Sequence, residues 1–399
     1  MVVEVESTAL SNRRRAPWWE TVDADVTAQL QLDTVETLKN SAVVDVAVMG
    51  GGIAGLSAAA SAASRGAHVV LLERAPTLGC GASGQNAGIV CVGVNMPLTS
   101  LEMDSDGAWL WSKTASLAEW LFTECSQPGT LLRGRKTGSL FLATSKTAAR
   151  RLAGEVRART DAKLKAELIS PADVKRMSSG WLDVSSVVTA QLLPDEGRVN
   201  PLTLLAFLAQ GARRHGAVLL GNAAISRHQE EPQSSGRSRW QITLENGMRI
   251  SARSLIRCTG PIVDANSRIY ALSFRLGLPE DFPVFQDAAP YTYYDYRSGD
   301  GFITVSGGRY GRAGASGSDE MYLRRMAAAA RKWLPGITDD PDYRWAVDLN
   351  VKADMIPNLK PLSTSAPGVA VEGLGALGVL AGIALGRKAG ADMVSLLAD

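Results

Sequence analysis

Histidine and cysteine are scarce, with three and four residues in a chain of 399. Cys80, Cys91, Cys125 and Cys258 form no C-x-x-C pair, and His68, His215 and His228 do not cluster to complete a zinc site. These gaps exclude a structural zinc centre and a disulfide scaffold, and they suit reduced thiols in a cytoplasmic protein. Net charge is also lacking. Forty-two Lys and Arg against 40 Asp and Glu leave +2, which supplies no field to gather nucleic acid. Long apolar runs are missing as well: Gly and Ser break the uncharged stretch 46–64, and 373–385 is shorter than the ~20 residues a bilayer span requires. Arg13-Arg14-Arg15 leads into Ala-Pro-Trp-Trp-Glu and not into an apolar segment, so no signal peptide is expected. With 46% hydrophobic residues the chain can bury a large core, and its length suggests two or three structural units.

Glycine, by contrast, is abundant at 39 residues and sits where turns are needed. Residues 43–49 are a β-branched run suited to a strand buried on both faces. Gly50-Gly51-Gly52-Ile53-Ala54-Gly55 follows directly, containing G-x-G-x-x-G, and an Ala-rich helix runs on to about Ser64. Residues 68–73 are a second strand, closing a β-α-β unit. Gly50 permits the tight turn, Gly52 lets backbone approach a pyrophosphate, and Gly55 lets helix and strand pack closely. Helix N–H groups at Ile53 and Ala54 then face phosphate. Glu73, 23 positions after Gly50, can hold ribose hydroxyls. Arg74 beside it and Ala224, beyond the strand 217–220, complete the expected contacts in this part of the chain. The adenosine ribose is common to NAD and FAD, so this unit alone does not separate them.

A second glycine-rich stretch, 79–88, comes immediately after the second strand. Here the chain resembles the FAD-dependent oxidoreductases of the D-amino acid oxidase type, among them glycine oxidase, sarcosine oxidase and gamma-glutamylputrescine oxidase. Their Gly-Ala-Ser-Gly-x-Asn-x-Gly run matches Gly81, Ala82, Ser83, Gly84, Gln85, Asn86, Ala87 and Gly88, which implies contacts to the flavin diphosphate and ribityl. The resemblance covers about 43–399. Gly197-Arg-Val-Asn-Pro201 resembles the family's Gly-x-Val-x-Pro, and Cys258-Thr259-Gly260 its Ala-Thr-Gly strand end near the cofactor. Trp345 and Asp354–Pro357 resemble a stretch before the last strand. Gly373-Leu374-Gly375-Ala376-Leu377-Gly378 opens the final helix, which implies N–H groups aimed at the flavin pyrimidine.

The chain also departs from these relatives. No cysteine follows Cys258 and no histidine follows His228, so a covalent flavin link from the C-terminal part is excluded and FAD is expected to be non-covalent. No lysine lies between Ala271 and Ala330, where relatives carry one that assists oxygen reduction, and Leu374 and Leu377 replace their His and Lys. Lys360 stands where the family has glycine. The electron acceptor is therefore expected to be oxygen or a quinone or protein partner.

The resemblance implies an α/β fold: a Rossmann-like FAD-binding domain with a mainly parallel sheet, plus an α+β substrate domain with a curved mixed or antiparallel sheet. The expected division is an N-terminal arm over 1–42, an FAD domain over 43–125, 195–272 and 345–399, and a substrate domain over 126–194 and 273–344. The arm is polar, with Trp18 and Trp19 its conspicuous apolar features, and reads as a mobile stretch that docks its indoles. For substrate binding, Tyr293-Tyr-Asp-Tyr-Arg297 before the Gly299-Asp-Gly301 turn is the candidate. Tyr293, Asp295 and Arg297 share one strand face by the period of two. Arg297 resembles the carboxylate-gripping Arg of glycine and D-amino acid oxidases, with Arg309 and Arg312 as alternatives. The expected reaction is hydride transfer from a carbon bearing nitrogen of a small amine or amino acid to FAD, giving an imine that water hydrolyses. Other readings stay open at this point: an FAD subunit passing electrons to a partner in a homo- or hetero-oligomer, an NAD-dependent dehydrogenase, and a flavin fold without catalysis.

Overall fold

The computed structural model describes residues 16–38, 42–94, 96–101, 106–232, 238–260, 265–287, 294–337 and 340–398. The β-branched run becomes the central strand Ala42–Met49, parallel to Val69–Leu72 on one side and to Arg249–Arg257 on the other. Val46 and Val48 pack into the main core, while Ala47 and Met49 pack into a second cluster on the opposite face. That two-sided burial is why the run carries no polar alternation. Val218–Leu220 extends the parallel order beyond Val69–Leu72, and Gly368–Glu372 pairs in parallel with Arg249–Arg257. The strands Ile225–Glu231, Arg239–Leu244 and Asn358–Pro361 join antiparallel, giving eight strands among the described residues. The expected turn at Asn246-Gly247 joins Arg239–Leu244 to Arg249–Arg257, with the Gly247 N–H donating to Leu244 O at 3.0 Å.

A second, mixed eight-stranded sheet stands over the first. Its order is Tyr343–Leu349, Ser267–Arg275, Phe302–Arg309, Tyr294–Gly299, Val284–Asp287, Ser139–Ala143, Thr189–Leu193 and Glu167–Ile169. All neighbours are antiparallel except Val284–Asp287 with Ser139–Ala143. The chain leaves the first sheet after Arg257 and re-enters it at Asn358. The second sheet therefore takes up Ser267–Leu272 and Trp345–Leu349, which the sequence assigned to the nucleotide unit.

The helices Ile53–Ala63 and Gly378–Ala398 lie side by side and parallel: Gly382 faces Ile53 and Ala54, Gly386 faces Ala54 and Ser57, and Gly390 faces Ala58 and Ser61. A Cβ on Gly386 would stand 2.2 Å from the Ala54 carbonyl oxygen, so the approach requires glycine. Ser61 Oγ donates to Arg387 O at 2.7 Å and locks the register. Both helix N-termini consequently emerge at the same edge of the sheet. No helix among the described residues is long and apolar enough to cross a membrane.

The N-terminal arm differs from expectation. Residues 16–38 are folded onto the body through the turn Pro17–Glu20 and the helix Ala24–Leu30, which is capped by Asp23 accepting the Val26 N–H at 3.0 Å. Val26 and Leu30 enter the main core, and Trp18 is completely buried. Burial of Trp18, Val26 and Leu30 opposes the entropy of ordering the segment.

Candidate active site

The site begins at the end of the central strand. Gly50 donates its N–H to Leu72 O at 2.8 Å, and the helix opening at Ile53 follows. A Cβ on Gly55 would lie 1.9 Å from Gly50 O, so only glycine lets the helix close on the turn. Glu73 holds that turn directly: its carboxylate accepts the N–H of Gly51 at 2.7 Å and of Ala75 at 3.0 Å. Ser83 Oγ accepts the Ile53 N–H at 3.1 Å, tying the second glycine-rich loop to the first. Within that loop Asn86 accepts from Gly88 N at 2.6 Å and donates to Ser83 O at 2.5 Å, and Gln85 Nε2 donates to Cys80 O at 2.8 Å. Two indoles brace it from outside: Trp18 Nε1 donates to Gly84 O at 2.6 Å and Trp345 Nε1 to Gln85 O at 2.8 Å. The two rings meet edge to face at 5.4 Å.

These elements enclose a cavity of about 510 Å³. One side is backbone-rich: Gly52, Ile53 and Ala54 from the first turn, Ala82, Ser83, Gln85, Asn86, Ala87 and Gly88 from the second loop, Thr259 and Gly260, and Gly373, Gly375, Ala376, Leu377 and Gly378 before the last helix. The other side is the second sheet, with Ile269, Ala271, Asp295, Ser306, Gly307, Gly308, Tyr310, Trp345 and Val347. Arg257 and Glu372, at the ends of neighbouring parallel strands, pair at 2.9 Å along the rim. Cys91 also lines the cavity, and burial raises its thiol pKa well above the ordinary value, with Glu196 and Asp295 adding to the rise.

Not every expected residue reaches this space. Gly50, Gly55 and Glu73 build the turn behind it, exposed Gly81 caps the short helix Ala82–Gln85, and Arg74 is exposed. Ala224 is spent on the sheet, its carbonyl accepting Glu245 N–H at 2.8 Å. Tyr293 lies outside the described residues. Arg297 corrects the expectation of a carboxylate clamp. It shares the face of Asp295, the two pairing with Thr304 and Ser306, but it lies two residues further along, beneath Trp18. There it is 1% exposed, donates from Nη2 to Asp300 Oδ2 at 2.9 Å, and lines a separate cleft with Arg198 and Asp300. Its charge already has a carboxylate. Arg309 is engaged by Ser316 Oγ at 2.6 Å and Gly314 O at 2.8 Å, and Arg312 is exposed; neither lines the cavity. His68, His215 and His228 are likewise elsewhere.

Asp295 is the residue whose setting stands out. Burial pushes its carboxyl up to about 7; a hydrogen bond from Gln286 opposes the shift and nearby Asp287 adds to it. The roof residues Ile269, Ala271, Ser306 and Val347 belong to no motif. Only the alternation of their strands hinted at a shared face, and alternation does not say which face meets a ligand.

The cavity suits an extended dinucleotide. A Cβ on Gly52 would fall 2.8 Å from Ser83 Oγ, filling the cradle between the two glycine loops. Two parallel helices present N–H groups and positive dipole ends on this side, a setting suited to a pyrophosphate and an anionic ring. The model of the FAD dependent oxidoreductase family matches residues 45–391. The chain belongs to that family. Its fold is also that of solved relatives: glycine oxidase from Geobacillus kaustophilus superposes with a TM-score of 0.71 at 20% identity, over 89% of this chain and 95% of that one. L-alpha-glycerophosphate oxidase from Mycoplasma pneumoniae, solved with FAD bound, gives 0.71 at 14% identity over 88% and 95%. By sequence, 168 residues are 30% identical to a tRNA 5-methylaminomethyl-2-thiouridine biosynthesis bifunctional protein, MnmC, from Saccharophagus degradans. That match takes in 42% of this chain and only 22% of the relative's length. As an FAD dependent oxidoreductase the chain carries FAD, and the residues around the cavity are its candidate holders.

Proposed function

We propose that this FAD dependent oxidoreductase oxidises the carbon–nitrogen bond of a small amine or amino acid, with FAD held non-covalently between the two sheets. The observation that carries the proposal is the cavity itself, with helix N-termini and glycine backbone on one side and a largely apolar sheet, containing one half-buried carboxyl, on the other. Gly52, Ile53, Ala54 and Ser83 would hold the diphosphate. Asn86 and Gly88 would flank the ribityl, and Gly375–Gly378 would face the ring system. When bound, FAD supplies the hydride acceptor for the carbon bearing nitrogen, and water hydrolyses the imine product.

The protein's own residues then do three things. The start of Gly378–Ala398 offers partial positive charge where negative charge accumulates. Ile269, Ala271, Trp345 and Val347 exclude water from the reacting carbon. Ser306 and Asp295 are the polar side chains that the second sheet's paired strands present to a substrate. With no lysine between 271 and 330, a quinone or protein acceptor fits better than oxygen. The four free thiols suit a cytoplasmic setting.

The test is product analysis. FAD-loaded protein, given an artificial quinone acceptor and panels of amines and D- and L-amino acids, should release ammonia or a smaller amine in step with acceptor reduction. FAD uptake without nitrogen release from any member of the panels would contradict the proposal.

A further inference from the structure

Resting on the C–N oxidation proposed above, we infer that Asp295 is the binding group for the substrate's ammonium. The substrate is then an amine carrying no carboxylate or phosphate beside its reacting carbon. Asp295 projects from the strand Tyr294–Gly299 opposite Ser306 and lines the cavity. Its side chain accepts a hydrogen bond from Gln286 Nε2 on the neighbouring strand. Among the described residues it has no salt-bridge partner. The titratable groups that interact with it are Asp287, Cys91 and the neighbouring Tyr296, none of them a cation. The cation nearest in sequence on the same face, Arg297, is taken by Asp300.

Apart from the helix N-termini assigned to FAD, the described lining carries no spare positive charge. Arg257 is the one Lys or Arg among the described lining residues, and it is bonded to Glu372, whose other oxygen lies 3.8 Å from Lys360 Nζ. A substrate carboxylate or phosphate would enter desolvated and unpaired, which is strongly unfavourable. An ammonium group would instead give Asp295 the partner it lacks, and the rings of Tyr310 and Trp345 line the same space with faces that attract cations. The carboxylate can also take the ammonium proton. The N–H bond would break as the proton forms the Asp295 O–H, and the freed nitrogen lone pair would become the second C–N bond while bound FAD supplied the acceptor for the hydride leaving the carbon. Glycine oxidase and glycerophosphate oxidase share this fold, yet the charge of this cavity suits neither an α-amino acid nor a polyol phosphate.

The deciding experiment titrates the FAD-loaded protein with ions that cannot be oxidised, at constant ionic strength, and follows the flavin visible spectrum. Ammonium should perturb the spectrum saturably, whereas acetate and inorganic phosphate should not. In Asp295→Asn, FAD uptake should be retained and the ammonium response weakened at least about tenfold, the factor that 1.4 kcal/mol represents. Saturable perturbation by acetate or phosphate, no response to ammonium, or an unchanged response in the variant would each overturn the inference. The native protein's comparison of cation with anions stands even if the variant does not fold. A parallel anaerobic titration separates the two levels: bleaching by amino acids but not amines sinks only the ammonium site, while bleaching by neither sinks C–N oxidation.

Discussion

Asp295 and Arg297 stand two residues apart on one face of one strand, and their surroundings give them opposite roles. Arg297 is structural: its buried guanidinium neutralises Asp300, whose carboxyl is pushed up by its own burial but held below the ordinary range by Arg297. Arg297→Ala should therefore cost about 3 kcal/mol in denaturant unfolding, because the largely enclosed Asp300 carboxylate loses its ion-pair partner and keeps Asn200 and Arg198 nearby. Adding Asp300→Asn should recover part of that loss, and wild-type stability in the single variant would contradict the assignment. For Asp295 the linkage runs in the other direction. Its folded carboxyl titrates near 7, above its unfolded value, so the fold binds a proton that the unfolded chain has lost. Stability should fall as pH rises from the ordinary carboxylate range towards about 7, and Asp295→Asn should flatten that limb in a series of urea melts. Amine kcat/KM should rise through the same region as the carboxylate forms, and the limb should vanish in the variant. The shared strand face was legible from the period of two. How far along the strand the cavity reaches was not, because Trp18, from a segment without periodicity, fills the far end.

The elements that aim the site are two helices and one arm. Gly386 sets the distance between Ile53–Ala63 and Gly378–Ala398, and its Cβ position is occupied by the Ala54 carbonyl. Gly386→Val should spread the helices, cost about 1–3 kcal/mol as overpacking does, and weaken FAD binding, measured by flavin fluorescence during titration of the apoprotein. Retained affinity would show that the helix spacing does not position the N-termini. Trp18→Phe keeps an aromatic six-membered ring but removes the pyrrole part and leaves the Gly84 carbonyl without its donor; about 1–3 kcal/mol should be lost from the hydrogen bond alone, with faster FAD dissociation read by stopped-flow fluorescence. Unchanged rate and stability would remove the arm from the site. The glycine turns were legible because each is a local device with a strand before it and a helix after it. The arm was not, since two tryptophans in a polar stretch announce burial without naming a partner.

At the scale of the molecule, a mainly parallel sheet ends its strands at one side of the cavity, and a mixed sheet closes over the other. Segments as distant as Trp18, Gly84 and Trp345 meet in one bracket around the second glycine loop. The β-α-β unit, the strands of the first sheet and the order of its glycine turns could be read from buried strands and motif spacing, while the two-sheet α/β architecture was implied by the family resemblance. The mixed sheet's contribution could not, because its lining residues are set by register between strands up to about 80 residues apart, such as Ala271 opposite Trp345. What unites both sheets is the claim that FAD lies between them and takes electrons from a carbon bearing nitrogen. Anaerobic titration of the FAD-loaded protein with a primary alkylamine tests it most directly. The flavin visible band should bleach stoichiometrically and return when a quinone is admitted; a band that survives saturating amines and amino acids alike would contradict the account.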